Sequence, residues 1–356
     1  MPTYFRTKIM AKTNKKAIRI LTGSVLIASI IGLTFLGYIY YFFLTKPFQL
    51  SETTYIYIDR DDNIDSVYTK IIEAGNPKQM HGFEVLAKRG DYSNHIKTGR
   101  YALKPSDNMR YLYTRLSLGY QTPVRLTIGS VRTLDRMARN VSRQLMIDSL
   151  EIADLLNDTA YIHQLGYTKE TLPALFIPNT YEVYWNMSAK DFMARMQKEH
   201  KAYWNEERMK KATAIGLTPI EVATLASIVE EETAVNAEKP MVAGLYINRL
   251  KRGMLLQADP TVKFSLKEFG LKRILYKHLE VDSPYNTYKY AGLPPGPIRV
   301  PSYQGLESVL NYTKHNYIYM CAKEDFSGTH NFAVTNAQHA ANARRYQQAL
   351  NKRGIR

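Results

Sequence analysis

Three carboxylates in a row, Glu230, Glu231 and Glu232, close the run TPIEVATLASIVEEETA between Thr218 and Ala234. They are not equivalent. At about 100° per residue on a helix, Val222, Leu225, Ile228 and Val229 share one stripe, and Glu232, seven residues after Leu225, falls about 20° from it. Glu230 and Glu231 project to about 140° and about 120° on either side, toward solvent. A carboxyl set among Leu and Val is desolvated, which favours its acid form. Such a group holds a proton near neutral pH and can deliver it, as acid–base work on a glycosidic oxygen requires. Clustered glutamates near a helix C-terminus are more commonly a solvated face, so the pattern nominates Glu232 without convicting it.

Other polar residues have the types and places to line a cleft. Gln257 and Asp259 lie on a turn in MLLQADPTV just before Pro260, although Asp259 has a plainer reading as a cap for the next element. Ser283–Pro301 (SPYNTYKYAGLPPGPIRVP) carries five prolines and two glycines and must be irregular chain. Long irregular segments inside a compact domain are usually functional. Phe176, Tyr181, Tyr184 and Trp185 could present rings to a sugar or belong to the core. His330 and His339 are nine residues apart with no HExxH, so no metal site is expected. There is no G-x-S-x-G elbow, no Walker loop and no G-x-G-x-x-G. Cys321, the single cysteine, reads as core. Carboxyl chemistry is what remains.

The elements that must position these groups follow from periodicity. Thr218, Pro219 and Glu221 form a helix start with a capping box. A second helix is expected from an Asn236 cap through Met241, Val242, Leu245 and Leu250, closed by Gly253, with Arg249, Lys251 and Arg252 suiting the dipole of its last turn. Tyr317–Ala322 and His330–Val334 read as a hairpin, and Asn336–Leu350 as a closing helix. Upstream, a strand at Ile56 and Ile58 precedes a helix at Ile64, Val67 and Ile71. The same unit recurs 45 and 70 residues later, as Tyr101/Leu103 with Met109/Leu112/Leu116 and Leu126/Ile128 with Leu134/Met137/Val141. A short helix at Phe83–Lys88 makes the first part β-α-α-β.

The 356-residue chain carries +16, from 48 basic and 32 acidic side chains. Six bases precede Ile20, and no acid occurs before Glu52. Ile20–Leu44 carries no charge and ends in Tyr38, Tyr40 and Tyr41. Its 25 residues would reach about 37 Å, enough for a hydrocarbon core of about 30 Å. It is longer than a signal-peptide core and lacks a small-x-small cleavage site, so a retained anchor is expected. The positive-inside rule keeps the N-terminus cytoplasmic and sends the remainder outward, which excludes nucleic acid as a partner.

Taken together, SIVEEETA, AGLYINRLKRGMLLQADPTV, YNTY, GLPPGPI and the late G-x-H-x-F resemble the MltG-like (YceG-like) endolytic murein transglycosylases over about residues 50–356. The resemblance makes Glu232, the second Glu of an E-x-E-T element, the general acid and then base. It implies a LysM-like module, cleavage of the MurNAc–GlcNAc bond in nascent peptidoglycan, no cofactor, and association with penicillin-binding synthases. Protonated Glu232 would donate to the linking oxygen, and its carboxylate would then take the C6 hydroxyl proton as a 1,6-anhydro end closes. Here the middle position is Glu231, an extra charge expected to raise the pKa of Glu232. Gln257, Asn286, Tyr288 and His330 are expected to orient the sugar. Asp259 and Glu230 are candidates for the second carboxylate of an ordinary hydrolytic muramidase. A non-catalytic wall-binding scaffold is the alternative from another class. The expected fold is α+β, in four parts: a cytoplasmic basic N-terminus (1–19), a transmembrane helix (20–44), the LysM-like module (45–150) and a mixed helical catalytic domain with a small hairpin (151–356).

Overall fold

The structure, a computed structural model, describes residues 3–271 and 273–354. Helix α1 (Thr3–Ile39) contains most of the uncharged stretch and passes into one π-helical turn, Tyr40–Leu44. Lys15–Leu44 is long and apolar enough to cross a membrane.

The chain divides into two compact units, the smaller comprising residues up to Val124 together with Tyr184–Asn186. After α1 it contains β1 (Thr54–Ile58), α2 (Ile64–Gly75), α3 (His81–Arg89), β2 (Gly99–Leu103) and α4 (Met109–Leu118). β1 and β2 pair antiparallel, from Thr54 opposite Leu103 to Ile58 opposite Gly99. The residues of the period-2 and helical patterns, Ile56, Ile58, Val67, Ile71, Tyr101, Leu103, Leu112 and Leu116, form its core with Phe83 and Tyr92. Asn63 opens α2 with a reciprocal capping box, and Gly119 closes α4 at a φ of 74°, where a side chain is disfavoured. The expected strand–turn–helix repeat is present three times. Its third copy, however, departs from the expected module boundary at 150. β3 (Val124–Ile128) pairs with β4 (Asn179–Val183), and from Arg125 onward the chain, Tyr184–Asn186 apart, belongs to the larger unit.

The larger unit continues with α5 (Leu134–Ser142), α6 (Ser149–Asn157) and α7 (Thr159–Gln164) before β4, then α8 (Ala189–Tyr203) and α9 (Glu206–Ile215). Next come α10 (Pro219–Glu232), α11 (Lys239–Lys251), α12 (Asp259–Leu266), α13 (Tyr276–Leu279) and α14 (Tyr303–Leu310). It ends in a hairpin of β5 (Tyr319–Ala322) and β6 (His330–Ala333), followed by α15 (Asn336–Lys352).

Helix α10 is the centre. Thr218 caps it in a box with Glu221, as expected. Yet every residue from Val222 to Val229 is buried, so it is enclosed on all sides rather than along one stripe. Its small residues allow this, and its two buried hydroxyls are satisfied: Thr224 donates to the Ile220 carbonyl (2.8 Å) and Ser227 to that of Thr224 (2.7 Å). Gly305 brings α14 so close that a Cβ there would sit 2.6 Å from Glu230 Oε2. Helix α11 starts at Lys239 with Glu238 as its cap position, not at Asn236, and Pro240 fits its first turn. Of the aromatic run 176–185, Phe176 and Tyr181 belong to the core, whereas Tyr184 is 54% exposed. Phe176 is buried and stacked on Phe192 (6.4 Å between centroids), and Tyr181 is buried with its hydroxyl donating to the Ile177 carbonyl. Trp185, in the smaller unit, packs edge-on against Tyr57.

Candidate active site

At the C-terminus of α10 the helix stops on buried Thr233, and the Glu232 side chain projects into a cavity of about 320 Å³. α10 and α11 contribute Glu232, Tyr246 and Arg249, and the connection into α12 contributes Leu256, Gln257 and Asp259. Tyr288 comes from the irregular 283–301 segment, and Tyr319, Cys321, His330 and His339 from the hairpin and α15. Chain segments far apart in sequence thus converge on one carboxyl.

Glu232 is half-buried, and its Oε1 accepts a hydrogen bond from the Tyr246 hydroxyl (2.7 Å). Burial, with the nearby Asp259 charge added, pushes its pKa from 4.5 up to about 7, against the opposing pull of the Tyr246 hydrogen bond, Lys263 and Arg249. The group is therefore poised between acid and carboxylate near neutral pH. Its neighbour Glu231 faces neither solvent nor this cavity. It accepts from Arg132 (Nε 2.8 Å, Nη2 2.7 Å) and Arg299 (Nη1 2.7 Å). Burial is the largest influence on Glu231 and raises its pKa, but the bonds and charges of the two arginines together hold it below the ordinary carboxylate value. The expected raising of Glu232 by Glu231 is replaced by that of Asp259, because Glu231 is spoken for by two cations. Glu230 likewise is tied inward: Ser302 donates to its Oε2 from N (3.0 Å) and Oγ (2.6 Å), with Lys239 Nζ 3.7 Å from Oε1. It is not among the residues lining the Glu232 cavity, which removes it as a second carboxylate or sugar contact.

Asp259 opens α12 at the cavity wall and accepts from the Tyr288 hydroxyl (2.6 Å). Burial first, then this hydrogen bond, holds the Tyr288 phenol well above its usual value, so it stays a donor. Gln257 adopts a φ of +51° and its side chain accepts from Arg249 Nη1 (3.3 Å). Asn286 corrects the expectation that it touches sugar. It is wholly buried, donates to the Leu279 and Val281 carbonyls (2.8 Å each) and accepts from Tyr288 N (3.0 Å). Its work is to build the turn that presents Tyr288. Thr287 fastens that turn to the other wall, accepting from Ala258 N (3.0 Å) at Oγ1. His330 lines the cavity while its backbone N (2.6 Å) and Nδ1 (2.9 Å) both bond the buried Glu238 carboxylate.

Sequence reasoning missed Tyr246 and Arg249. Arg249 is 7% exposed and donates to the carbonyls of Ile318 (2.7 Å), Leu255 (3.1 Å) and Leu256 (2.7 Å). A signal existed: positions 242, 245, 246 and 249 share one helical face, so Arg249 lies on the buried stripe of α11 rather than at a solvated end. Cys321, read as core, is half-buried on the cavity wall, and burial raises its thiol pKa.

With that geometry in place, the sequence profile of the YceG-like family matches residues 56–345. The chain belongs to this family. A Bacillus subtilis (strain 168) protein named endolytic murein transglycosylase is 28% identical over 279 residues, covering 72% of this chain and 75% of the relative. A Streptococcus pneumoniae (strain D39) protein of the same name is 29% identical over 325 residues, covering 81% of this chain and 58% of the relative. The crystal structure of a yceG-like protein from Listeria monocytogenes superposes with a TM-score of 0.55 at 27% identity, covering 82% of this chain and 99% of that one. The mixed helix-and-strand architecture with small sheets is thus shared with a solved family member.

Proposed function

We propose that the chain is a membrane-anchored endolytic peptidoglycan lytic transglycosylase, with α1 as a single span, its N-terminus in the cytoplasm and the rest outside. Relatives named for that activity support the class. The observation that carries the residue assignment is a carboxyl with a pKa of about 7 at the wall of a polar cavity.

Because Tyr246 donates to Oε1, the proton of neutral Glu232 sits on Oε2, free to pass to the oxygen linking MurNAc to GlcNAc. The O–C1 bond breaks and an oxocarbenium-like centre forms at C1. The new carboxylate is stabilised by the Tyr246 hydroxyl and by the Lys263 and Arg249 charges. Asp259, held by Tyr288, supplies negative charge near C1. Glu232 then takes the C6 hydroxyl proton as O6 closes on C1, giving a 1,6-anhydro end without consuming water. Gln257, Tyr288 and His330 orient the sugar. The β-α-α-β part of the smaller unit is read as the LysM-like, glycan-holding module, and penicillin-binding synthases as the partners that supply nascent strands.

A second reading, hydrolysis with Asp259 as the second carboxylate, is favoured by the presence of both acids in one cavity. Mass spectrometry of peptidoglycan digested by the full-length chain separates the two. Anhydro ends are expected, and reducing ends in their place would overturn the lyase assignment. Cleavage that survives Glu232→Gln would overturn the residue assignment.

A further inference from the structure

Counted from Arg19, the last base before the apolar stretch, chain length sets where the smaller unit meets the membrane. Twenty residues at 1.5 Å each cross about 30 Å of hydrocarbon, which takes the span from Ile20 to Ile39, where α1 ends. Tyr40–Leu44, the π-helical turn, then lies at headgroup depth. That turn is not a free linker. The Tyr38 hydroxyl meets His81 Nε2 at 2.6 Å, the Phe42 ring packs 4.7 Å from the His81 ring, and the Phe42 carbonyl accepts from Gln79 Nε2 (3.3 Å). Gly82 makes the approach possible: a Cβ there would lie 2.0 Å from the Phe42 carbonyl and 3.2 Å from Met109 Cβ. The chain leaving the span is stitched on as well, with Lys78 N donating to the Pro47 carbonyl (2.9 Å). The openings of α3 and α4 therefore sit at the level of Phe42, and exposed Lys78, Arg110 and Tyr111 adjoin Gln79 and Met109.

We infer that this end of the smaller unit is a lipid-contact surface seated on anionic phospholipid headgroups, with Lys78 and Arg110 as phosphate partners and Tyr111 in the interfacial layer. Cations on flexible stems and an exposed tyrosine are the side chains that settle there. The inference rests on the proposed span and adds to it: the unit lies down on the bilayer instead of hanging from it.

The test uses the full-length chain carrying Cys321→Ser, reconstituted into vesicles of phosphatidylethanolamine and phosphatidylglycerol. An environment-sensitive fluorophore is attached at Tyr111→Cys, or at Asp61→Cys, which lies in the exposed turn before α2, at the end of that helix away from Phe48. The label at 111 should be several-fold less quenched by aqueous iodide than the label at 61, and Lys78→Glu with Arg110→Glu should remove that shielding while the chain still sediments with the vesicles. Equal quenching at both positions would overturn the inference, as would shielding that ignores the charge reversal. Release of the unsubstituted chain from vesicles by alkaline carbonate would instead sink the span on which it rests.

Discussion

Glu232→Gln should abolish turnover and yet make the fold more stable at neutral pH. Burial lifts the carboxyl from 4.5 to about 7. Between those values the native state holds a proton that the unfolded chain has released. A raised native pKa means that the wild type is least penalised below about 4.5 and loses stability as pH climbs through about 7. At about 1.4 kcal/mol for each pH unit, the interval of roughly 2.5 amounts to roughly 3–4 kcal/mol, which cavity water screens toward about 2 kcal/mol. Gln is neutral throughout and still offers Tyr246 an acceptor. Urea unfolding of both proteins, full length in detergent, from about pH 5 to about pH 8 should show the variant pulling ahead as pH rises. A difference that stays flat across that window would mean that Glu232 ionises like a surface acid, and the proton-donor argument would fail. A difference of opposite sign would mean that the fold favours the carboxylate.

The neighbours of Glu232 should move its titration in opposite directions. Tyr246→Phe removes a hydrogen bond that lowers the pKa, so the alkaline limb of kcat/KM for anhydro-end release should shift to higher pH, with kcat down about tenfold to a hundredfold. Asp259→Asn removes a charge that raises it, and the same limb should shift to lower pH; limbs moving together in a pH series of product release would refute the pairing. Asn286→Ala leaves the Leu279 and Val281 carbonyls and the Tyr288 N–H unpaired in a buried turn, and urea unfolding should register a loss of about 2–4 kcal/mol. An unchanged midpoint would return Asn286 to the list of sugar contacts.

What could be read from the chain tracks how local the cause is. Thr218, Pro219 and Glu221 specify a helix start through neighbours three residues apart, and α10 begins where they place it. The hairpin and closing helix likewise follow from alternation and capping. The period of Leu225 and Glu232 put the candidate acid among apolar groups. It could not tell a striped helix from a fully enclosed one, since α14 and the 298–302 chain cover the remaining faces. Glu231 looked solvated because its two arginines are 99 and 68 residues away. Asn286 and Tyr288 looked alike as polar residues of one loop. Only burial separates the residue that builds the turn from the one it displays.

The bonds of Arg249 have a consequence for how the cavity is closed. One guanidinium links α11 to carbonyls seven residues ahead and 69 residues ahead, so the walls around Glu232 come together only when the C-terminal hairpin has docked. Tyr319, Cys321, His330 and His339 belong to those walls, so without the hairpin and α15 one side of the cavity is missing. An enclosed cavity around Glu232 therefore depends on the hairpin and α15 as much as on the helix that carries the carboxyl.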